Sequence, residues 1–443
     1  MVSSAPTIYA LSSGSGVAGV AVIRVSGANV GVVIERLRLG ELQPRLARLV
    51  RIADPDTGEA IDSALALYFA EPASYTGEDV LELHVHGGRA VVAAVLGALS
   101  QIGGCRLAEA GEFTRRAFHK GKMDLTEAEG LADLIAAETQ VQRRQALRVA
   151  GGSLRVLYES WRAQLIEAMA LMEAALDFAD EADVAADAVR QAETRVGDLR
   201  SSISAHLDDG RRGEIMREGY RVVIAGPPNA GKSSLLNALA RRDVAIVSAE
   251  PGTTRDVVEI RLDLGGFAVV VSDTAGIRAD PTGTVEREGI RRSFARSAEA
   301  DLVLWLIDAG APLPSPADEL LRQGVEVIPI LNKTDLGVPA GIPAAAAIST
   351  RTGDGLPGLL DLIANRAANR LEPGEAPLIT TTRQRALIQE TRANLDRFLA
   401  GNEPPELRAE DLRLAAGALG RITGRVDAED VLNRVFGAFC IGK

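Results

Sequence analysis

The sequence predicts a multi-domain α/β plus α protein, in which a helical domain is interrupted by a P-loop α/β domain and preceded by a separate N-terminal α/β unit. Three observations carry this expectation. Between residues 221 and 371 short apolar runs alternate with helical stretches, the pattern of a parallel sheet covered by helices. Before that block Leu154, Leu157, Trp161, Leu165, Met169, Met172 and Leu176 recur every three or four residues, as do Val189, Ala192, Val196, Leu199, Ile203 and Leu207. After it, helical patterns return at 382–399, 407–419 and 427–436, with breaks at 401–405 and 420–424. Helices on both sides of one α/β block read most economically as a single domain split by an insertion, entered near Gly219 and left at 373–377. The expected divisions are 1–120, 121–218, 219–372 and 373–443.

Taken in order, the N-terminal unit shows strand-like runs at 19–25, 64–69 and 80–85 and a helix after Gly88. In the inserted block, strands are expected at 221–225, 259–264, 268–273, 302–308 and 325–332, with a short one ending at Ser349. Among the 443 residues no apolar run approaches the roughly 18 to 20 needed to span a bilayer. Residues 1–7 have no basic stretch ahead of an apolar one, so the expected location is cytoplasmic, away from any membrane. Cys105 and Cys440 lack the paired spacing of a zinc or redox site. The net charge of −11, from 49 basic and 60 acidic residues, excludes a protein that coats nucleic acid through an overall basic field. Only five basic residues are lysine: Lys120, Lys122, Lys232, Lys333 and Lys443. In an arginine-rich chain, a retained lysine points to a place that needs a compact ammonium.

The strongest motif is Gly226-Pro-Pro-Asn-Ala-Gly231-Lys232-Ser233, directly between an expected strand and an expected helix. The glycines let backbone N–H groups of Asn229, Ala230 and Gly231 turn toward phosphate oxygens. Lys232 reaches the β and γ phosphates, and Ser233, followed by Ser234, offers its hydroxyl to Mg²⁺. Downstream, Asp273-Thr274-Ala275-Gly276 and Asn332-Lys333-Thr-Asp335 each end a strand, in the order of a GTP-binding domain. Asp335 can accept hydrogen bonds from guanine N1–H and N2–H₂, which adenine cannot supply, while Asn332 and Lys333 shape the base pocket. Between these motifs, Thr254 in Gly252-Thr253-Thr254-Arg255-Asp256 is the candidate second Mg²⁺ ligand. Ile277 follows Gly276, where a water-positioning Gln would stand in a small signalling GTPase, so another group must orient the water.

With these residues in view, the whole chain resembles the tRNA-modification GTPase family MnmE, also called TrmE. The resemblance extends beyond the Ras-like G motifs to Pro72-Ala-Ser-Tyr75-Thr-Gly-Glu-Asp79, Glu82-Leu-His-Val-His-Gly-Gly88, Gly111-Glu-Phe-Thr-Arg115, Lys122-Met-Asp-Leu-Thr-Glu-Ala-Glu129, Asp177-Phe-Ala-Asp-Glu181 and Cys440-Ile-Gly-Lys443. It implies an N-terminal folate-binding-like domain that dimerises and takes a 5-formyl- or methylene-type tetrahydrofolate, at Arg24, Glu82, Lys122 and Lys443. It implies K⁺ beside the nucleotide, held by Asn229, Ser248, Glu250 and Thr253, and a Glu of the second switch that orients water. Glu286 occupies that place, with Glu288 close by. Ser349, in Ser349-Thr350-Arg351, matches the segment that meets the guanine ring. Cys440 is a possible functional thiol. The implied partners are a second copy of the chain, the FAD protein MnmG and tRNA, modified at C5 of the wobble uridine; the FAD would sit on MnmG. An alternative reading is a regulatory GTPase switch whose partner performs all the modification chemistry. A ribosome-assembly GTPase would share the G motifs but leaves residues 72–129 and 440–443 unaccounted for.

Overall fold

The computed structural model describes residues 5–14, 16–178, 180–246, 259–273, 300–309, 325–338, 344–371, 374, 376–426, 435–437, 439 and 442. The chain divides into two compact units. One comprises Met1–Ala132, Val149–Val196 and Arg397–Lys443; the other comprises Asp133–Arg148 and Gly197–Asp396.

The first unit is built on strands β1 (Thr7–Leu11), β2 (Ala18–Ser26), β3 (Arg48–Ala53), β4 (Ala60–Phe69), β5 (Val80–Gly87) and β6 (Cys105–Leu107). They form one sheet in the order β3-β4-β5-β2-β1-β6, antiparallel throughout except for the β1–β6 pair. Successive side chains alternate between faces. Ile23 and Val25 of β2 and Leu81, Leu83 and Val85 of β5 are therefore buried together. They pack against Val30 and Val33 of α1 (Val30–Arg36) and Val95, Ala98 and Leu99 of α2 (Arg89–Ser100). Arg24, Glu82 and His84, at the intervening positions, lie on the opposite face. Beyond the sheet come α3 (Glu112–His119), then α4 (Leu125–Ala136), whose last turn counts with the second unit, α5 (Gln140–Ala150), which belongs to the second unit but for its last two residues, α6 (Ser153–Asp177), and α7 (Ala182–Leu207), which is shared between the units.

Along α6 the buried residues Leu154, Tyr158, Trp161, Leu165, Ala168, Met172 and Ala175 alternate spacings of four and three, the seam of a heptad. The expected stripe is thus turned slightly: Leu157, Met169 and Leu176 flank the seam, and Tyr158, Ala168 and Ala175 lie in it. The helix Pro405–Thr423 packs on α6. Its own buried face includes Ala409, Leu412, Ala415, Ala418, Leu419 and Ile422. Near the end of the described chain Phe436 and Phe439 join Leu125 and Ala128 in a small core, and Ser12 Oγ donates to Gly442 O at 2.8 Å.

The second unit carries β7 (Tyr220–Ala225), β8 (Glu259–Leu264), β9 (Phe267–Asp273), β10 (Leu302–Asp308), β11 (Glu326–Asn332) and the two-residue β12 (Ala346–Ala347). The order is β12-β11-β10-β7-β9-β8, parallel except for the β8–β9 hairpin. Val222 and Ile224, Leu304 and Leu306, and Ile330 form its core with Leu235, Leu236 and Leu239 of α9 (Lys232–Ala240) and Leu359 and Ile363 of the helix Leu356–Leu371. Strand β7 has β9 on one side and β10 on the other, so the chain leaves it in both directions. Such a switch point opens a crevice at the carboxyl ends of the strands, where ligands bind in open α/β sheets. The expected short strand ends before Ser349, because the ladder to β11 stops at Ala347 and the chain turns, with Ser349 N–H reaching Asp354 O.

The chain enters this sheet through α8 (Arg212–Glu218) and leaves it into the helix Thr382–Ala400. The two passages touch: a Cβ on Gly213 would lie 2.3 Å from Ile379 O. Among the described residues no helix is long and apolar enough to cross a membrane.

Candidate functional site

The loop from β7 to α9 is shaped by two glycines that no larger residue could replace. Gly226 has φ 142° and a Cβ there would lie 2.5 Å from Leu306 O; Gly231 has φ 98° and a Cβ would lie 2.3 Å from Asn332 Nδ2. Asn229 also takes a positive φ, 64°, and stands exposed on the rim of the loop. The turn directs the start of α9 toward the crevice, where the unpaired N–H groups and the helix dipole favour an anion. Lys232 opens that helix and its Nζ donates to Gly226 O and Pro227 O, both at 2.9 Å, which fixes the ammonium over the loop. Burial lowers its pKa, with Asp273 opposing the shift. Ser233 Oγ donates to Asp273 Oδ2 at 2.7 Å, so the first turn of α9 and the end of β9 bring a hydroxyl and a carboxylate together. Ala230 and Ser234 lie in the same loop and first turn.

Asn332 is the last residue of β11 and is fully buried. Its Nδ2 donates to Ala230 O at 2.8 Å and its Oδ1 accepts from Thr350 N–H at 3.2 Å. One amide therefore ties the phosphate loop to the base loop, and both its polar ends are satisfied without water. Lys333 bends the chain out of the strand at φ 65° and its Nζ pairs with Asp308 Oδ2 at 2.6 Å. Asp335 follows in the short 3₁₀ turn Thr334–Leu336, with Oδ1 accepting from Ser349 Oγ at 2.7 Å. That bond orients the carboxylate while leaving lone pairs on both oxygens for a base.

Sequence reasoning missed Asp308 and Thr350. Asp308 was findable from register, since parallel pairing sets it beside Asn332 and hence next to Lys333. The expected site residues Ser248, Glu250, Thr253, Thr254, Thr274, Ala275, Gly276, Glu286, Cys440 and Lys443, and the neighbouring Glu288, lie outside the described residues.

A second cluster sits on the open face of the N-terminal sheet. Arg24 and Glu82 are direct cross-strand partners on β2 and β5, and Arg24 Nε donates to Glu82 Oε1 at 2.9 Å. The guanidinium lies 5.0 Å from the ring centre of Tyr75 and 5.6 Å from that of Phe113, within cation–π range. His84 Nε2 stands 3.7 Å from Glu82 Oε2. Lys122 Nζ donates to Pro72 O at 3.0 Å, on the same loop that carries Tyr75. Behind that loop Glu112 is buried and bonded to Arg106 and Arg116, and Arg116 reaches Glu78 at 3.0 Å. Burial alone would raise the Glu112 pKa; the bonds from Arg106, Glu109 N–H and Arg116 outweigh it and bring it down to about 2. The cluster thus stays ionised and braces the segment that holds the aromatic rings. Neither ring was singled out from the sequence as a contact of Arg24.

A phosphate loop at the switch point, tied through a buried asparagine to an Asn-Lys-x-Asp base loop, defines the class: a P-loop hydrolase of guanine nucleotides. A family model described as the GTP-binding protein TrmE N-terminus matches residues 7–122, and one described as the MnmE helical domain matches 125–440. The tRNA modification GTPase MnmE of Parvibaculum lavamentivorans is 52% identical, over 99% of this chain and 100% of that protein. Those of Beijerinckia indica and Methylorubrum populi are 49% and 51% identical, over 99% of this chain and 96% and 98% of theirs. The chain belongs to the MnmE family of tRNA modification GTPases, and is a GTP hydrolase acting in tRNA modification.

Proposed function

We propose that this GTPase is K⁺-activated and Mg²⁺-dependent, and that with the FAD protein MnmG it installs a carboxymethylaminomethyl-type group at C5 of the wobble uridine of certain tRNAs. In this reading residues 1–120 bind a tetrahydrofolate one-carbon donor and dimerise. The helical domain, 121–218 and 373–443, is split by the G domain, 219–372, and the assembly works in the cytoplasm. The observation that carries the nucleotide half is the buried Asn332, which makes the phosphate and base loops a single cradle.

Lys232 and the N–H groups of the loop hold the β and γ phosphates, while Asp335, backed by Ser349, accepts from guanine N1–H and N2–H₂. Ser233 beside Asp273 offers hard oxygen donors suited to Mg²⁺, with Thr254 as the further ligand. Bound there, Mg²⁺ neutralises charge on the phosphate oxygens. Asn229, exposed on the loop rim, supplies an amide oxygen to K⁺ together with Ser248, Glu250 and Thr253. A cation so held performs the electrostatic part of an arginine finger. Glu286 orients the attacking water. On the N-terminal sheet, Arg24, Glu82 and Lys122 provide polar anchors beside the rings of Tyr75 and Phe113, a combination suited to a pterin and its glutamate tail. The Ser12–Gly442 bond supports Lys443 as the fourth anchor, because Ser12 directly follows β1, whose last residue, Leu11, pairs with Ile23 of β2.

Two measurements test this reading. GTP hydrolysis in K⁺ and in Na⁺, at matched ionic strength and constant Mg²⁺, should differ by about tenfold or more, a modest share of the ~10³–10⁵ that an arginine finger supplies. Equal slow rates would remove the cation mechanism and put the regulatory switch first. Arg24→Ala should weaken 5-formyltetrahydrofolate binding by about 10- to 100-fold, the worth of one charge-assisted hydrogen bond. Unchanged binding would take Arg24 out of the site.

A further inference from the structure

Each half of the nucleotide site is joined to the rest of the chain by one short path. The phosphate loop runs back through β7 and Gly219 into α8. The base loop runs forward through the helix Leu356–Leu371 to the segment before Thr382. These paths converge where Gly213 meets Ile379. At that point sits a buried charge cluster that the nucleotide chemistry does not use.

Its centre is Arg385, in the first turn of the helix Thr382–Ala400. Arg385 Nη2 donates to Asp209 Oδ1 at 2.7 Å, Nε to Glu214 Oε2 at 3.1 Å, and Nη1 to Leu207 O at 3.1 Å. A single guanidinium therefore grips the end of α7, the α7–α8 turn and α8 itself. The side chains of Asp209 and Glu214 are only 4% and 3% exposed, so neither carboxylate can turn to water instead. Arg211 Nε adds a bond to Glu214 at 2.8 Å and Arg212 Nε one to Asp209 O at 3.0 Å. From the path of the base loop, Arg370 Nη2 donates to Gly210 O at 2.9 Å. His206, in the last turn of α7, is kept neutral: burial and Arg385 lower its pKa to about 4 despite Asp209. A planar fork with three separate acceptors fixes angles as well as distances, which an ammonium would not.

We propose that Arg385 is the positioning residue through which the GTP cycle is coupled to tRNA modification. By locking both roots of the nucleotide-binding sheet to α7 and to the helix Thr382–Ala400, it delivers a nucleotide-dependent movement of either loop to those two helices as one displacement. Without it, each root yields separately and hydrolysis proceeds without driving the modification step. The inference rests on GTPase activity in tRNA modification and is independent of the K⁺, folate and partner assignments above.

Arg385→Met alone would leave the buried Asp209 without a cation and Glu214 with Arg211 only, and so endanger the fold. The decisive variant is therefore Arg385→Met with Asp209→Asn and Glu214→Gln, which removes the buried charges together; Arg385→Lys serves as the conservative partner. None of these residues lies in the nucleotide site. Each full-length variant is purified for its thermal midpoint and GTP turnover, and expressed in a strain whose own copy is deleted to measure modified wobble uridine in bulk tRNA. At matched protein level and midpoint, the triple variant should keep GTP turnover within about twofold of wild type. Its modified uridine should fall about tenfold, within the range expected for a broken coupling, and the lysine variant should fall between. Undiminished modification by the triple variant would overturn the proposal. So would a parallel fall in GTP turnover, or a midpoint too low to match, since the cluster would then serve the nucleotide site or the fold alone.

Discussion

Asp335→Asn should lower kcat/KM for GTP by about 10²- to 10⁴-fold, the loss of two hydrogen bonds to a charged acceptor at ~1.5–3 kcal/mol each. The same variant should accept xanthosine triphosphate. A carboxamide presents one acceptor and one donor, while xanthine offers N1–H and a carbonyl at C2, so the mismatch with guanine becomes a match. The fold should not suffer. Asp335 is exposed, and Ser349 Oγ, now 2.7 Å from Oδ1, can still donate to an amide oxygen. Steady-state hydrolysis of both nucleotides, with a thermal melt as control, checks this. Retained preference for GTP over xanthosine triphosphate would mean that the carboxylate does not read the base.

Lys232→Ala should reduce GTP turnover by at least about 10²- to 10³-fold, the cost of removing one preorganised donor from developing transition-state charge. The ammonium donates to Gly226 O and Pro227 O at 2.9 Å each, so its loss also leaves two loop carbonyl oxygens without that donor. Lys232→Arg should not rescue the rate. A planar fork cannot reproduce a point charge held between two acceptors at this spacing. Single-turnover hydrolysis at saturating GTP separates the chemical step from binding. Wild-type turnover by the alanine variant would place the phosphate-stabilising charge elsewhere.

Much of the fold was legible because its central elements are buried on both sides. β10 matches the expected range residue for residue, and β7, β9 and β11 match within one, since each is a short apolar run closed by turn residues or by a motif; β8 matches too, although it is an edge strand of alternating pattern, because the turn Gly265-Gly266 marks its end. The strands that escaped notice lie largely at the rims. β3 carries Arg48 and Arg51 among its six residues, and β6 has only three; they are the two ends of their sheet, where one-sided pairing demands little hydrophobic pattern. The polar helix α5 was missed for a similar reason, as only part of its surface is covered. In the nucleotide site, motif residues were readable because strand ends set their spacing. Contacts between distant segments were not. Arg24 finds Glu82 across 58 positions, and Arg385 finds Glu214 and Asp209 across 171 and 176, distances over which local periodicity carries no signal.

The contact between Gly213 and Ile379 has a bearing on how such a chain changes over generations. Seen from the flanking helices, everything between those residues is a loop whose two ends already touch. The entropy of closing a loop grows only with the logarithm of its length, each doubling adding about 0.6 kcal/mol. Insertions, deletions and drift within that stretch therefore tax the remainder of the molecule very little. The nucleotide module is free to vary where nothing else rests on it, while the constraint falls on the residues at its neck and on those that meet the segment around α5, such as Arg261 against Glu138 and Gly266 against Val141.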